Sequence, residues 1–338
     1  MMSQPARLAI VERSGKTESE HWGWLVVADA SGAILHRLGE PGRKTFWRSC
    51  AKPLQALASL ETGAAEAFGW SADELALVCA SHSATPAHVE IARAILAKAA
   101  IDPELLGCGP HLPLGDAARE ALLRSGEPPT KLHNNCSGKH AGMLAACKQA
   151  GWDLATYLEE RHPLQRAAAQ AIVRFAGLAA PPPAGVDGCG LPTYFTSLDA
   201  AAIAFARLAN PEVLPENDAR HARRIVAAMT ARPDLVAGEG RLDTLLMELA
   251  EGAIVSKCGA EGQQCFGLIG RGVGVAIKNL DGAPRAHAAI VAEIGRAFLP
   301  ELEWDRFLVD ANPPICNTRG EEVGWIRAAF APPESIAR

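Results

Sequence analysis

The sequence predicts an α/β fold of the α+β kind: strands from both ends of the chain form one antiparallel sheet, flanked by helices, with a helical part beside it. Three observations point there. Short β-branched runs separated by turn residues gather near the termini. The centre is alanine-rich, with apolar residues at helical spacing. Neither an internal repeat nor a low-complexity linker divides the chain. The expected organisation is a single unit over residues 1–338. Its sheet part takes 1–85 and 250–338, and its helical part 86–249.

The elements follow in order. Leu8–Val11 and Trp22–Leu38 read as strands, with Ala30-Ser31-Gly32 as a hairpin-like turn. Pro53 is tolerated only in a helix's first turn, so a helix is expected to begin close to Ser49, carry Leu54, Leu57 and Leu60, and stop at Gly63. Ser71-Ala72-Asp73-Glu74 is a capping-box pattern opening a short helix that delivers Ser81-His82-Ser83 into a loop. Thr85-Pro86 caps the next helix, His88–Ala99. Further helices are expected over Asp116–Arg124, Lys139–Ala150, Pro163–Ala176, Ser197–Leu208, Pro215–Thr230 and Leu242–Ala250. The period then changes to strand at Ala253–Lys257, Phe266–Ile269 and Val273–Lys278, and Arg285–Phe298 closes with a helix.

Composition narrows the function. With 338 residues, 49% of them hydrophobic and 21% charged, the chain has the profile of an ordinary globular protein. A net charge of −5 without a long basic run disfavours nucleic acid and anionic membrane as partners. Met1 to Gly15 lacks the apolar core of a signal peptide, and no apolar stretch reaches membrane-spanning length. Nine scattered cysteines, an odd number, suit a reduced, cytoplasmic protein better than a disulfide framework.

Four clusters carry chemistry. Ser49 and Lys52 stand three residues apart, which brings a hydroxyl and an amine onto one helical face. A lysine whose amine is depressed by burial can take the serine's proton. On its own such a match means a capping serine and a solvated lysine. Ser81-His82-Ser83 alone reads as a helix-terminal turn, and Lys257-Cys258-Gly259 as a strand exit. In this order, the three form the serine-lysine hydrolase pattern: a nucleophile with its base, then a second hydroxyl and lysine for the leaving group. The fourth cluster is His133-Asn134-Asn135-Cys136-Ser137-Gly138-Lys139-His140, read with Asp187-Gly188-Cys189. By spacing, His133, Cys136, His140 and Cys189 are the candidate zinc ligands, against a plain polar loop with two buried cysteines.

Together these stretches resemble the L-asparaginase II family of the rhizobial, thermolabile type. The matching segments are Arg48–Pro53, Cys79–Ser83, Leu132–Gly142 (LHNNCSGKHAG), Val186–Cys189 and Lys257–Gly262. The resemblance implies a serine β-lactamase- and glutaminase-like fold that hydrolyses L-asparagine to L-aspartate and ammonia. It implies Ser49 as nucleophile with Lys52 as base, and Ser81 with Lys257 as a second pair. It implies a zinc held by Cys136, Lys139 and Cys189, which replaces the two histidines of the spacing argument and tunes substrate binding. Asn134, Gly190, Arg48, Asp187 and Glu261 are the expected substrate-binding residues, with Arg48 for the carboxylate and Asp187 or Glu261 for the ammonium. A homodimer is also implied. The alternatives are a related serine amidohydrolase acting on glutamine or a β-lactam-like amide, and a non-catalytic, zinc-stabilised binding protein.

Overall fold

The computed structural model describes residues 4–332; the first three residues of the N-terminal stretch and the last six of the C-terminal part lie outside the described residues. Strands β1 (Ala6–Arg13), β2 (Lys16–Asp29) and β3 (Ile34–Leu38) open the chain, followed by a short β4 (Lys44–Phe46). A 3-10 turn, Arg48–Ala51, runs into α1 (Lys52–Glu61), and α2 (Ala64–Ala67), α3 (Ala72–Val78) and α4 (Pro86–Lys98) follow. The middle holds α5 (Asp116–Ser125), α6 (Ser137–Ala150), α7 (Pro163–Ala176), β5 (Ala184–Val186), β6 (Pro192–Ser197), α8 (Leu198–Ala209), α9 (Glu216–Ala231), α10 (Pro233–Val236) and α11 (Leu242–Leu249). The chain returns through β7 (Ile254–Gly259), β8 (Gln263–Leu268) and β9 (Val273–Asn279), then α12 (His287–Phe298), α13 (Trp304–Ala311), β10 (Ile315–Cys316) and β11 (Glu322–Ala328).

The main sheet runs β10-β11-β1-β2-β9-β8-β7, with β3 also on β2, and every pairing is antiparallel. Strands from both ends of the chain therefore share one sheet, as expected. The closing strand β11, which pairs Ala9 with Ala328, was not foreseen. Nor was the small second sheet β4-β6-β5. These strands are short or lack an alternating pattern, so only tertiary pairing defines them.

Both sheet faces are covered. On β2, Trp24, Val26 and Ala28 join the core shared with α1, α6 and α8, while Leu25 and Val27 join the core under α12. That explains an unbroken apolar run in place of strict alternation. Helix α8 lies almost on the sheet backbone: a Cβ on Gly274 would come within 2.1 Å of the Ala202 carbonyl. Only glycine permits that approach.

Local signals in the sequence set two of the helix starts. Ser71 Oγ accepts from the Glu74 N–H (3.2 Å) while Glu74 Oε2 accepts from the Ser71 N–H (2.7 Å), a reciprocal cap for α3. Thr85 precedes α4 in extended backbone, as expected, with His88 Nδ1 accepting from the Thr85 N–H at 3.1 Å. Ser49 departs slightly from expectation. It stands in the 3-10 turn ahead of α1, because Pro53 occupies the second α-helical position.

Candidate active site

The turn carrying Ser49 is a strained one. Arg48 has φ of +48°, in the left-handed region that costs a non-glycine residue about 1–2 kcal/mol. Two bonds hold it there: its N–H donates to Thr193 Oγ1 (3.2 Å), and its Nε donates to Asp187 Oδ1 (2.6 Å). The turn is tied to the sheet as well, since Cys50 Sγ donates to the Lys257 carbonyl at 3.1 Å. Gly259 leaves room for this junction: a Cβ there would stand 3.0 Å from the Trp47 carbonyl and 3.1 Å from Cys50 Sγ. Ser49 itself is half-buried, and its hydroxyl has no hydrogen-bond partner among the described residues.

Lys52 is fully buried, and its amine donates to the Ala80 carbonyl (2.6 Å) and to Ser81 Oγ (2.8 Å). Burial pushes this amine below its ordinary range, and the neighbouring Lys139 and Lys257 charges add to the shift against the opposing Cys136. A neutral amine that gives both hydrogens to Ala80 and Ser81 keeps one lone pair to receive a proton.

The second lysine is set the opposite way. Lys257, also fully buried on β7, lies 3.6 Å from Asp243 Oδ2 and donates to the Cys258 carbonyl at 3.1 Å. Burial opposes its charge, yet Cys258 and Asp243 hold its amine above the ordinary value. Two neighbouring lysines are thus set apart, one shifted toward its neutral form and one held as a cation. The hydrogen bonds also correct the expected pairing. Ser81 is hydrogen-bonded to Lys52, whereas Lys257 is ion-paired at 3.6 Å with the carboxylate of Asp243, because α11 places that carboxylate against β7.

The Ser81-His82-Ser83 loop is locked by its own members. The Ser81 N–H donates to the Val236 carbonyl (2.9 Å) and Ser83 Oγ to the Ala237 carbonyl (2.8 Å). His82 Nδ1 accepts from the Ala84 N–H, so Nε2 carries the proton and donates to Ser137 Oγ at 2.9 Å. Burial drives His82 well below its ordinary pKa, so it is neutral. The central histidine is a tie between this loop and the start of α6.

The same helix presents the cysteine block. Cys136 and Cys189 are buried and hydrogen-bonded to each other, and Lys139 Nζ lies 3.4 Å from Cys189 Sγ. The bond from Cys136 brings the Cys189 thiol down to about 5, against burial, with Lys139 assisting. Cys136, the donor, is pushed up to about 12 by the same bond and by burial. Two sulfurs and an amine therefore converge at one buried point. That soft donor set fits zinc once Cys136 and Lys139 release their protons. Among the described residues no group of three or more His, Cys, Asp or Glu converges to hold a metal, so the lysine is essential to such a site.

The histidines offered by spacing each commit Nδ1 elsewhere. His133 Nδ1 caps its own turn by accepting from the Thr130 N–H at 3.0 Å, and His140 Nδ1 accepts from Tyr157, whose hydroxyl itself accepts from the Gly107 N–H. Asn134, expected at the substrate, instead donates to the Cys108 and Gly109 carbonyls (2.8 and 3.1 Å) and accepts from the Cys136 N–H (2.9 Å). Gly190 closes the Asp187 turn, donating to the Asp187 carbonyl at 2.9 Å with φ of +85°. Glu261 stands exposed in the β7–β8 turn, and its carboxylate accepts no hydrogen bond among the described residues.

Two residues at the site were not foreseen. Asp243 looked like any acidic residue in a helix's first turn, and Arg241 like any surface cation. In the fold Arg241 reaches the Ser81 carbonyl and, at 3.7 Å, Cys258 Sγ. No local pattern could have shown this, since both arrive from about 160 residues after Ser81.

A family model described as L-asparaginase II matches residues 9–328. The chain belongs to the L-asparaginase II family. No curated protein matches it. Among solved structures it is similar to Mglu in its native form in the presence of 4.3 M NaCl, with 16% identity, a TM-score of 0.41, and 81% of this chain and 61% of that chain covered. Mglu in its native form gives 16% identity and a TM-score of 0.41, covering 77% and 60%. Mglu in its glutamate form gives 14% and 0.34, covering 78% and 57%. The chain thus spans less than two thirds of the length of these structures.

Proposed function

We propose that this chain is an L-asparagine amidohydrolase that releases L-aspartate and ammonia through a serine acyl-enzyme. The observation that carries the reading is the depressed, fully buried Lys52 amine, bonded to Ser81 and one turn from the free hydroxyl of Ser49. Ser49 Oγ attacks the side-chain amide carbon, and Lys52 takes the hydroxyl proton. As the tetrahedral intermediate collapses, that proton passes through the Ser81 hydroxyl to the leaving nitrogen, which departs as ammonia. Water then attacks the ester carbon and gives its proton to Lys52; as the second intermediate collapses, Lys52 passes that proton to Ser49 Oγ, which restores both groups and frees aspartate. The Lys257 ammonium stabilises the negative charge of both intermediates.

Among the described residues the terminal nitrogens of Arg48 make no hydrogen bond, which supports Arg48 as the carboxylate receptor. Asp187, aligned by Arg48, then receives the ammonium. Cys136, Lys139 and Cys189 would hold a zinc ion. When bound, that ion supplies charge and fixes the Asp187 loop beside the head group. Nine free cysteines support a cytoplasmic location as part of the proposal. A homodimer remains part of the proposal.

One observation favours a second reading. Ser81, not Ser49, is the hydroxyl bonded to Lys52, so Ser81 could attack first. Ammonia release tests the substrate directly: the expected result is faster turnover of asparagine than of glutamine, and no release from Ser49→Ala. Equal or faster turnover of glutamine overturns the asparagine assignment.

A further inference from the structure

Helix α11 brings to the site a carboxylate that the acyl-transfer scheme does not use. Asp243 is fully buried, and an uncompensated buried carboxylate is too costly to keep without a task. Its compensation is unusually complete. Oδ1 accepts from Ser256 Oγ (2.7 Å) and Gln264 Nε2 (3.0 Å), while Oδ2 accepts from the Cys258 N–H (2.8 Å) and faces Lys257 Nζ at 3.6 Å. Gln264 Nε2 also donates to Ser256 Oγ at 2.8 Å, which closes the network.

The geometry follows from topology. Strand β7 is the last strand of the sheet, so the outward N–H of Cys258 has no neighbouring strand. Asp243 substitutes for that strand. It holds the residues on either side of Lys257, Ser256 and Cys258, and meets the lysine's amine between them. We propose that Asp243 is a positioning residue for the reaction, fixing the place and the charge of Lys257 relative to Ser49 and Lys52.

The other groups around Lys257 show why an anchor is needed. Arg241, preceding α11, is a like charge that opposes the ammonium. Cys258 on its own strand and Cys50 beside Ser49 favour it, and burial works against it more strongly than any single neighbour helps. Lys52, on α1, feels the Lys257 charge as a repulsion. Asp243 is the only full anion in this set, and its carboxyl is held down to about 2, by Lys257 and the Cys258 and Gln264 bonds acting against burial. It is charged at any working pH.

This inference rests on the amidohydrolase reading for its kinetic arm, and a second arm is independent of it. In Asp243→Asn, kcat for asparagine is expected to fall about tenfold or more with little change in KM, and the alkaline limb of the pH profile to move down by about one unit. Asp243→Glu, which keeps the anion, is expected to restore part of that limb. An alkaline limb unchanged in Asp243→Asn, or no better in Asp243→Glu, overturns the proposal. The independent arm follows the Lys257 side-chain signal by NMR in 13C-lysine-labelled protein, where Asp243→Asn should lower the titration midpoint. An unmoved midpoint overturns it. If wild type releases no ammonia from asparagine yet the midpoint moves, the substrate reading fails and the anchoring stands. Should Asp243→Asn not fold, Asp243→Ser decides in its place: a wild-type kcat and limb overturn the proposal, and a loss of kcat with a lowered limb supports it.

Discussion

Lys52 Nζ lies 2.8 Å from Ser81 Oγ, while the hydroxyl of Ser49, the serine three residues before it, has no hydrogen-bond partner among the described residues. The proposed general base is therefore parked on one hydroxyl and one turn from the other. That arrangement suits a relay, in which the proton removed from one serine leaves through the second.

The base must be uncharged to act. Burial holds the Lys52 amine below its ordinary value, so kcat/KM should rise as pH climbs through that lowered value and vanish below it. Lys52→Arg, whose guanidinium cannot deprotonate, should lose about 100- to 10,000-fold in kcat/KM and show no recovery at high pH. A pH–rate profile of both proteins checks this. Recovery of the arginine variant at alkaline pH would contradict Lys52 as base.

Much of this was legible in the sequence, and the reasons differ from part to part. The Ser71-Glu74 cap, the Thr85 cap and the Ser49-Lys52 spacing are local, so residues a few places apart determine them. The strand at Glu322–Ala328 was not legible, because only its pairing with β1 makes it a strand. The same holds for Asp243, whose meaning comes from lying against Lys257 after the chain has turned. The Ser81 hydrogen bond was not legible for the converse reason: motif order brings Ser81, Lys52 and Lys257 together but does not say that Ser81 bonds to Lys52.

The sulfur-amine cluster yields a metal prediction. Wild-type protein should carry zinc as purified, and Cys136→Ala or Cys189→Ala should lose it. Elemental analysis decides. Zinc-free wild type would contradict the site, as would full occupancy in both variants.

Packing of α8 on the sheet gives a prediction about stability alone. In Gly274→Ala the new methyl would stand 2.1 Å from the Ala202 carbonyl and 2.3 Å from the Ala206 nitrogen, both backbone. Helix and strand must separate, which should cost about 1–3 kcal/mol and lower Tm, while kcat per folded molecule stays unchanged. Thermal unfolding beside active-site titration measures both. An unchanged Tm would show that the contact is not close.

The identity of the attacking serine is the centre of the account. Rapid quenching of the wild-type enzyme during asparagine turnover, followed by peptide mass spectrometry, should find the β-aspartyl ester on Ser49, whose hydroxyl is free and half-buried. An ester on Ser81, with none on Ser49, would contradict it.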